Sequence, residues 1–370
     1  MMKPSILDDM TIDQAKELQF RLVSAIAREF SGHEFFRQGD VGVVPATGRP
    51  VQTAKVEQVL AHLFQSQACA LARGAGTGAI RSLLSALLEP GDSLIVHTAP
   101  VYTTTRETFR MMGLKFRTVD FNDSDSLHRF LQEDRRSRLF YVQHSRQQPN
   151  DTYDLKTTIG MVRRVRPDLP VVVDDNYTAC KVPHIGVELG ASYSCFSGFK
   201  LLGPPGIGIV VGNEEAVKTI RRRNYSGGGQ VQGYEAMELL RSLVTAPVAI
   251  AVQTEQVNRL HRMLNSGRIS GIKQAVITHS QSKNVIVELD RPIAPEVIKA
   301  SEKYGAAVYP VGAESRFEIL PMIYRVSGTF LETRPELAKT GIRINPMRAG
   351  ADLTLEILKR AIADETGERG

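Results

Sequence analysis

From residue 69 to residue 211 the chain repeats one pattern: a short apolar run, then in most intervals a helical stretch. The runs lie at 69–72, 93–97, 115–119, 139–143, 171–174, 193–196 and 206–211. Helical periodicity fills 77–88, 104–112, 126–133 and 156–165. Parallel strands need long crossovers, and helices in those crossovers cover both faces of the sheet. The spacing therefore predicts an α/β fold: a large domain with a mostly parallel seven-stranded sheet between helices. The last two runs lie too close together for a crossover helix, so one antiparallel strand is expected there.

Residues 12–30 read as an amphipathic helix with Leu18, Leu22 and Ile26 on one face. Residues 31–50 hold Gly32, Gly39, Gly42, Pro45, Gly48 and Pro50, which predicts a loop or arm. Further helices are expected at 53–67 and 231–264. Residues 268–370 show strand candidates at 284–289, 306–309, 323–326 and 341–345 and a closing helix at 353–363, a small α+β C-terminal domain. A chain of 370 residues is too long for one small core. The expected division is an N-terminal helix and arm at 1–50, a large domain at 51–266 and a small domain at 267–370.

Composition narrows the function. No run approaches the roughly 18–20 apolar residues of a membrane helix. The N-terminus carries no apolar stretch of the signal-peptide kind. A cytoplasmic protein without a membrane partner is expected. Cys69, Cys180 and Cys195 lack metal-ligand spacing, and their odd count predicts reduced, buried thiols and no metal. The net charge is +6, but the basic residues are spread along the chain. The exception, Arg221, Arg222 and Arg223, follows a helical stretch, where cations complement the helix dipole. No basic stripe with interleaved aromatics appears, so no nucleic acid is expected. A mild positive balance suits anionic small molecules.

Four motifs sit where the apolar runs end. Residues 72–80, Ala-Arg-Gly-Ala-Gly-Thr-Gly-Ala-Ile, follow a strand and open a helix. Free N–H groups at a helix start bind phosphate, and glycine lets the ligand approach. Gly74, Gly76 and Ala79 also fit the dinucleotide pattern G-x-G-x-x-A. That pattern expects an acidic residue at the next strand end, where His97, Thr98 and Ala99 offer no carboxylate. A phosphate monoester is therefore favoured over NAD. A glycine turn that merely packs helix on strand is the plain alternative.

The second motif is a buried run, Val171 to Val173, ending in Asp174 and Asp175 with Tyr177 close behind. Sites of open α/β sheets lie beyond the carboxyl ends of strands. Asp174 can hold a pyridinium nitrogen by a charge-assisted hydrogen bond, and Tyr177 can reach a ring hydroxyl. An aspartate that caps a turn is the alternative. The third motif sets Lys200 after an apolar strand, among aromatic residues and glycines. A confined lysine loses its proton readily, and the neutral amine attacks an aldehyde. Ser197, three residues earlier, can bond a phosphate. A surface lysine is the alternative. The fourth is Tyr102, whose flat face can stack on a pyridine or simply pack in the core.

In order and spacing these residues resemble fold-type I pyridoxal-phosphate (PLP) enzymes, the aspartate aminotransferase superfamily, over residues 50 to 350. The resemblance implies PLP held by Lys200 as a Schiff base, with Gly76, Thr77 and Ser197 on its phosphate and Asp174 and Tyr177 on its ring. Tyr102 is similar to the stacking tyrosine of cystathionine γ-synthase-type members. In the segment Gln147, Gln148, Pro149, Asn150, Gln148 stands in for the asparagine of the aminotransferases' Asn-Pro, and Gln143 and Arg146 are further candidates for the ring. Residues 341–346, Gly-Ile-Arg-Ile-Asn-Pro, resemble the strand that grips the substrate α-carboxylate. That assigns Arg343, with Arg348 as runner-up, to a bidentate carboxylate pair. Val44, Pro45 and Ala46 stand where the γ-synthases carry Tyr-x-Arg, which argues against γ-elimination. A homodimer is implied, with the arm at 31–50 and the segment 225–230 as candidates to reach the neighbour.

The function expected is a PLP enzyme acting on a small amino acid or amine, with Lys200, Asp174 and Tyr177 catalytic and transamination as the first choice. A lyase or racemase of the β-elimination type is the alternative. A non-enzymatic PLP-fold module and an NAD enzyme rank below both.

Overall fold

In the computed structural model, which describes residues 7–146, 148, 150–226, 228–267, 269–278, 283–310, 314–326, 330–331 and 334–367, the seven apolar runs form one sheet. The elements are α1 (Ile12–Glu29), α2 (Gly32–Phe35), α3 (Val51–Leu63), β1 (Ala68–Arg73), α4 (Ala75–Leu87), β2 (Ser93–His97), α5 (Thr103–Met111), β3 (Lys115–Val119), α6 (Ser124–Glu133), β4 (Ser137–Gln143), α7 (Leu155–Val165), β5 (Val171–Asp174), β6 (Tyr193–Ser197), β7 (Ile207–Gly212), α8 (Glu214–Arg223) and α9 (Gly233–Leu264). Their strand order is β1-β7-β6-β5-β4-β2-β3. Strands β2 to β6 pair in parallel. Strand β7 runs antiparallel to both β6 and β1, the one reversal that the short connection predicts.

Alternation along the strands explains the layers. Leu94, Val172 and Cys195 face one side, packed with Ile80, Leu83 and Leu84 of α4 and Phe109 of α5. Ile95, Val171 and Val173 face the other, packed with Leu127 and Leu131 of α6 and Ile159 and Val162 of α7. Side chains on a strand alternate between faces, so a strand buried on both sides reads as a continuous apolar run. Each such aliphatic side chain contributes about 1.5–3 kcal/mol on burial. Helix α1 begins at a Thr11–Gln14 capping box and buries Leu18, Leu22 and Ile26, the stripe read from its spacing.

Contacts divide the chain into two units. Residues 10–147 and 151–248 form the unit with the large sheet, and residues 1–9, 148–150 and 249–370 form the other. The second unit holds an antiparallel four-stranded sheet of order β10-β11-β9-β8, made of β8 (Ile272–Thr278), β9 (Asn284–Leu289), β10 (Met322–Arg325) and β11 (Gly341–Asn345). Helix α10 (Ala294–Glu302) and the closing helix Gly350–Thr366 pack with its strands in one apolar core.

The strand expected at 306–309 does not form. Ala307 makes a single parallel bridge to Met322, and Tyr309 is exposed. The fourth strand is instead β8, whose polar Lys273 and Gln274 hide it from an apolar-run reading. Among the described residues no helix is long and apolar enough to cross a membrane.

Candidate cofactor and active site

Strand β1 runs into a sharp turn at the start of α4. Gly74 and Ala75 both adopt left-handed backbone, with φ of 93° and 53°. Their N–H groups donate to the Gly206 carbonyl at 2.8 and 3.1 Å. The guanidinium of Arg73 is held by Glu235 at 2.5 and 2.6 Å. The first N–H groups of a helix have no partner within it, so those of Gly76 and Thr77 remain donors for an anion. The Thr77 hydroxyl lies 3.0 Å from that of Thr104 on α5. Ser197, at the end of β6, is buried, and among the described residues its hydroxyl has no hydrogen-bond partner.

Asp174 ends β5 and is 7% exposed. One carboxylate oxygen accepts from the Tyr141 hydroxyl at 2.9 Å. The other accepts from the Asn176 backbone N–H at 3.1 Å and from its side-chain amide at 2.7 Å. An ionised carboxylate has about four acceptor positions, so one stays open for a further donor. Burial raises the pKa of Asp174, against the pull of Asn176, Tyr141 and Lys200. Asp175, its neighbour, is fully buried and accepts from His144 at 2.7 Å, Thr178 at 2.9 Å and the Gly186 N–H at 3.0 Å. Of the two carboxylates, Asp174 is the one that keeps some exposure, 7% against 0%.

The Asn176 side chain reaches from Asp174 to the helix start. A β-carbon at position 76 would fall 1.7 Å from its oxygen, so glycine is required there.

Lys200 follows β6 in the short 3₁₀ turn Phe199–Leu201. Its Nζ lies 3.4 Å from the centroid of the Tyr177 ring, a cation–π geometry. Burial lowers its amine to about 8, with Asp174 working in the opposite direction. The loop beyond it closes through Gly203 N–H to the Gly198 carbonyl at 3.0 Å. It ends at Gly206, the residue that holds the α4 turn. Lys181 also faces Tyr177, with its Nζ 5.5 Å from the same centroid.

The backbone N–H of Tyr102, at the start of α5, donates to the Gln143 side chain at 3.0 Å. Arg146 turns to Tyr153, donating to its carbonyl at 2.6 Å with the guanidinium over its ring at 4.8 Å. Gln147, Pro149 and Gly227 lie outside the described residues. Gln148 groups with the C-terminal unit. Arg343, on β11 of that unit, is 1% exposed. It hydrogen-bonds Tyr324 and lies over the Tyr324 and Phe330 rings at 6.0 and 5.7 Å. Arg348, the runner-up, donates to Gln253 at 2.7 Å.

The large unit thus brings Gly76, Asn176, Asp174, Tyr177 and Lys200 together by direct contact or charge. Sequence reasoning missed Tyr141, Asn176 and Lys181. A tyrosine inside the buried run 139–143 and a lone lysine in an apolar turn were the available signals. The set fits a phosphorylated pyridine aldehyde. The unpartnered Ser197 hydroxyl suits a phosphate, the open acceptor position on Asp174 suits a ring N–H, and the confined Lys200 amine suits an aldehyde.

Comparison with known proteins agrees with this fit. The family described as Cys/Met metabolism PLP-dependent enzyme matches residues 45–282, and the YhfS-like C-terminal domain matches residues 258–358. The chain is 49% identical over 362 residues to the protein YhfS of Escherichia coli (strain K12), covering 98% of this chain and 99% of that one. It superposes on a crystal structure of the pyridoxal-5'-phosphate dependent protein YhfS from Escherichia coli with a TM-score of 0.95 at 48% identity, over 98% of this chain and 100% of that one. The apo structure of CalE6, a methionine gamma lyase from Micromonospora echinospora, shares the fold with a TM-score of 0.73 at 16% identity, over 94% and 98% of the two chains. The chain belongs to the Cys/Met metabolism PLP-dependent enzyme family, and its cofactor is pyridoxal phosphate.

Proposed function

We propose that this enzyme is a lyase that eliminates a substituent from the β-carbon of an amino acid, with Lys200 moving the proton. The observation that carries the reading is the Lys200 amine. It lies against the Tyr177 ring at 3.4 Å, and burial lowers it to about 8. Near neutral pH such an amine is partly unprotonated, so it can accept the substrate α-proton and return a proton to the leaving group.

Bound pyridoxal phosphate supplies an electron sink for the α-carbon. The rest falls to the chain. Ser197 and the N–H groups of Gly76 and Thr77 hold the phosphate. The Asp174 carboxylate accepts from the ring N–H and keeps it protonated. Tyr102 covers one face of the ring, and Tyr177 and Gln148 serve its hydroxyl. Arg343 takes the substrate α-carboxylate in a bidentate pair. A homodimer is what the family resemblance implies, with the arm, where Phe36 and Val41 are exposed, as the candidate to reach the second copy.

The same residues would begin a transamination, the first expectation from the sequence. Elimination has the better support, because the matched family and its structural neighbours are of the lyase and synthase kind. CalE6 is a methionine gamma lyase, and another neighbour is a putative cystathionine beta-lyase from Clostridium acetobutylicum. Val44, Pro45 and Ala46 stand in place of the Tyr-x-Arg of the γ-synthases, which weighs against γ-elimination.

The test is product analysis by mass after incubating the holoenzyme with amino acids that carry a leaving group at the β-carbon. Elimination releases a 2-oxo acid and ammonium with no second keto acid present. A keto-acid product that forms only when a second keto acid is supplied would refute the lyase assignment. Lys200→Ala should lose the visible absorption of the lysine-bound cofactor and about 10²–10⁴-fold in rate.

A further inference from the structure

We propose that Tyr141 is a positioning residue for the cofactor ring: by donating to Asp174 it keeps the proton that this carboxylate shares with the ring nitrogen on the nitrogen. The proposal rests on the reading that Asp174 meets the ring N–H, and its test separates the two.

Tyr141 lies inside β4, where the register with β5 sets it opposite Val172 and sets Gln143 opposite Asp174. Side chains alternate along a strand, so Tyr141, Val172 and Asp174 share one face of the sheet. Tyr141 packs there with Val172 and Cys195, and its ring stands edge-on to Phe109 of α5 with centroids 5.6 Å apart. It is 1% exposed, and its hydroxyl donates to Asp174 at 2.9 Å. It therefore acts on a ligand through Asp174.

The two oxygens of Asp174 are not equivalent. Oδ1 accepts from the Asn176 N–H at 3.1 Å and from its amide at 2.7 Å, while Oδ2 accepts from Tyr141. Each carboxylate oxygen has about two acceptor positions, so the open one lies on Oδ2. The oxygen available to the ring is thus the one that Tyr141 already bonds.

A donor on a carboxylate favours its charged form and lowers its affinity for a proton. Burial works the other way and raises Asp174. Left to burial alone, the carboxylate would draw the ring proton to itself, and Tyr141 weakens that pull on the very oxygen concerned. Burial first, and then the charge of Asp174, hold the Tyr141 hydroxyl well above its ordinary value, so it stays a neutral donor. The neighbouring groups play other parts. Cys195, beside Asp174 on β6, is a thiol that burial keeps protonated. Asp175 is fully buried and accepts from His144, Thr178 and Gly186. Lys200 acts on Asp174 through its charge. A protonated ring nitrogen is what makes the cofactor a strong electron sink, so Tyr141 sets that strength from inside the sheet.

The test is nitrogen-15 NMR of the holo-protein, reconstituted with pyridoxal phosphate labelled at the ring nitrogen. The unaltered protein should show the resonance of a protonated pyridine. Tyr141→Phe keeps the ring against Phe109 and removes the donor. The proton equilibrium should then shift toward the carboxylate by roughly 10-fold, the worth of one hydrogen bond to a charged group, and the resonance should move toward the unprotonated position. Fluorotyrosine in place of Tyr141 is a more acidic phenol and a stronger donor, and should hold the protonated position. A cofactor-loaded Tyr141→Phe with an unmoved resonance, or a fluorotyrosine protein that moves toward the unprotonated position, would overturn the proposal. Asp174→Asn tests the underlying reading by itself. If it moves the resonance and Tyr141→Phe does not, only the role of Tyr141 fails; if neither moves it, Asp174 does not meet the ring.

Discussion

The side-chain oxygen of Asn176 occupies the space where position 76 would otherwise carry a β-carbon, 1.7 Å from where that carbon would sit. Its amide is meanwhile bonded to Asp174 at 2.7 Å. The helix start proposed for the phosphate and the carboxylate proposed for the ring are thus linked through one side chain.

Gly76→Ala should therefore displace Asn176 and break its bond to Asp174. We expect a stability loss of about 1–3 kcal/mol, typical of overpacking. Asn176→Ala removes the obstruction, so in the double variant the penalties should be less than additive, by about 0.5–3 kcal/mol. Denaturant titration of the four proteins measures the cycle. Strict additivity would mean that the two positions do not meet.

Ser197→Ala should act in opposite directions on the empty and loaded protein. A buried hydroxyl without a partner costs stability, so the apo-protein should gain about 1 kcal/mol. Pyridoxal-phosphate affinity should fall roughly 10–100-fold, the worth of one hydrogen bond to a charged group. Thermal melts and equilibrium binding measure the two effects. A variant that binds the cofactor normally would remove Ser197 from the phosphate site.

The apo-protein should become more stable as pH rises from about 7. Folding lowers Lys181 to about 7 and Lys200 to about 8, from an ordinary value of 10.5. Between those limits the unfolded chain binds more protons than the folded one, so stability rises with pH. Below about 7 both states hold the protons and this contribution levels off. Asp174 works in a lower window, where its raised pKa makes stability fall as pH rises above 3.8. Melting curves should flatten in Lys181→Met, whose midpoint at neutral pH rises by roughly 1–2 °C for each kcal/mol recovered. A parallel, unshifted pH profile would contradict the burial of this charge.

Much of this was legible because sheet burial writes itself into sequence. Val171, Val172 and Val173 announce a strand covered on both faces, and the acid that ends it falls where such sheets keep their sites. The close spacing of the runs at 193–196 and 206–211 announced the reversed strand β7. Asn176 gave no such signal, since its importance comes from contact with a glycine 100 positions earlier. Tyr141 lies inside an apolar run, and only the pairing of β4 with β5 brings its hydroxyl to Asp174. In the C-terminal unit, β8 stayed hidden because its half-exposed residues follow no clean alternation, while 306–309 had the residues of a strand and one bridging partner.

The Gly206 carbonyl, by accepting from both Gly74 and Ala75, makes the stretch from Lys200 to Gly206 a spacer of fixed length. Most surface loops tolerate insertion, because closure entropy grows slowly as they lengthen. Here a single added residue would pull either the amine or the start of α4 out of place. The length of this segment is therefore held as tightly as the identity of its lysine.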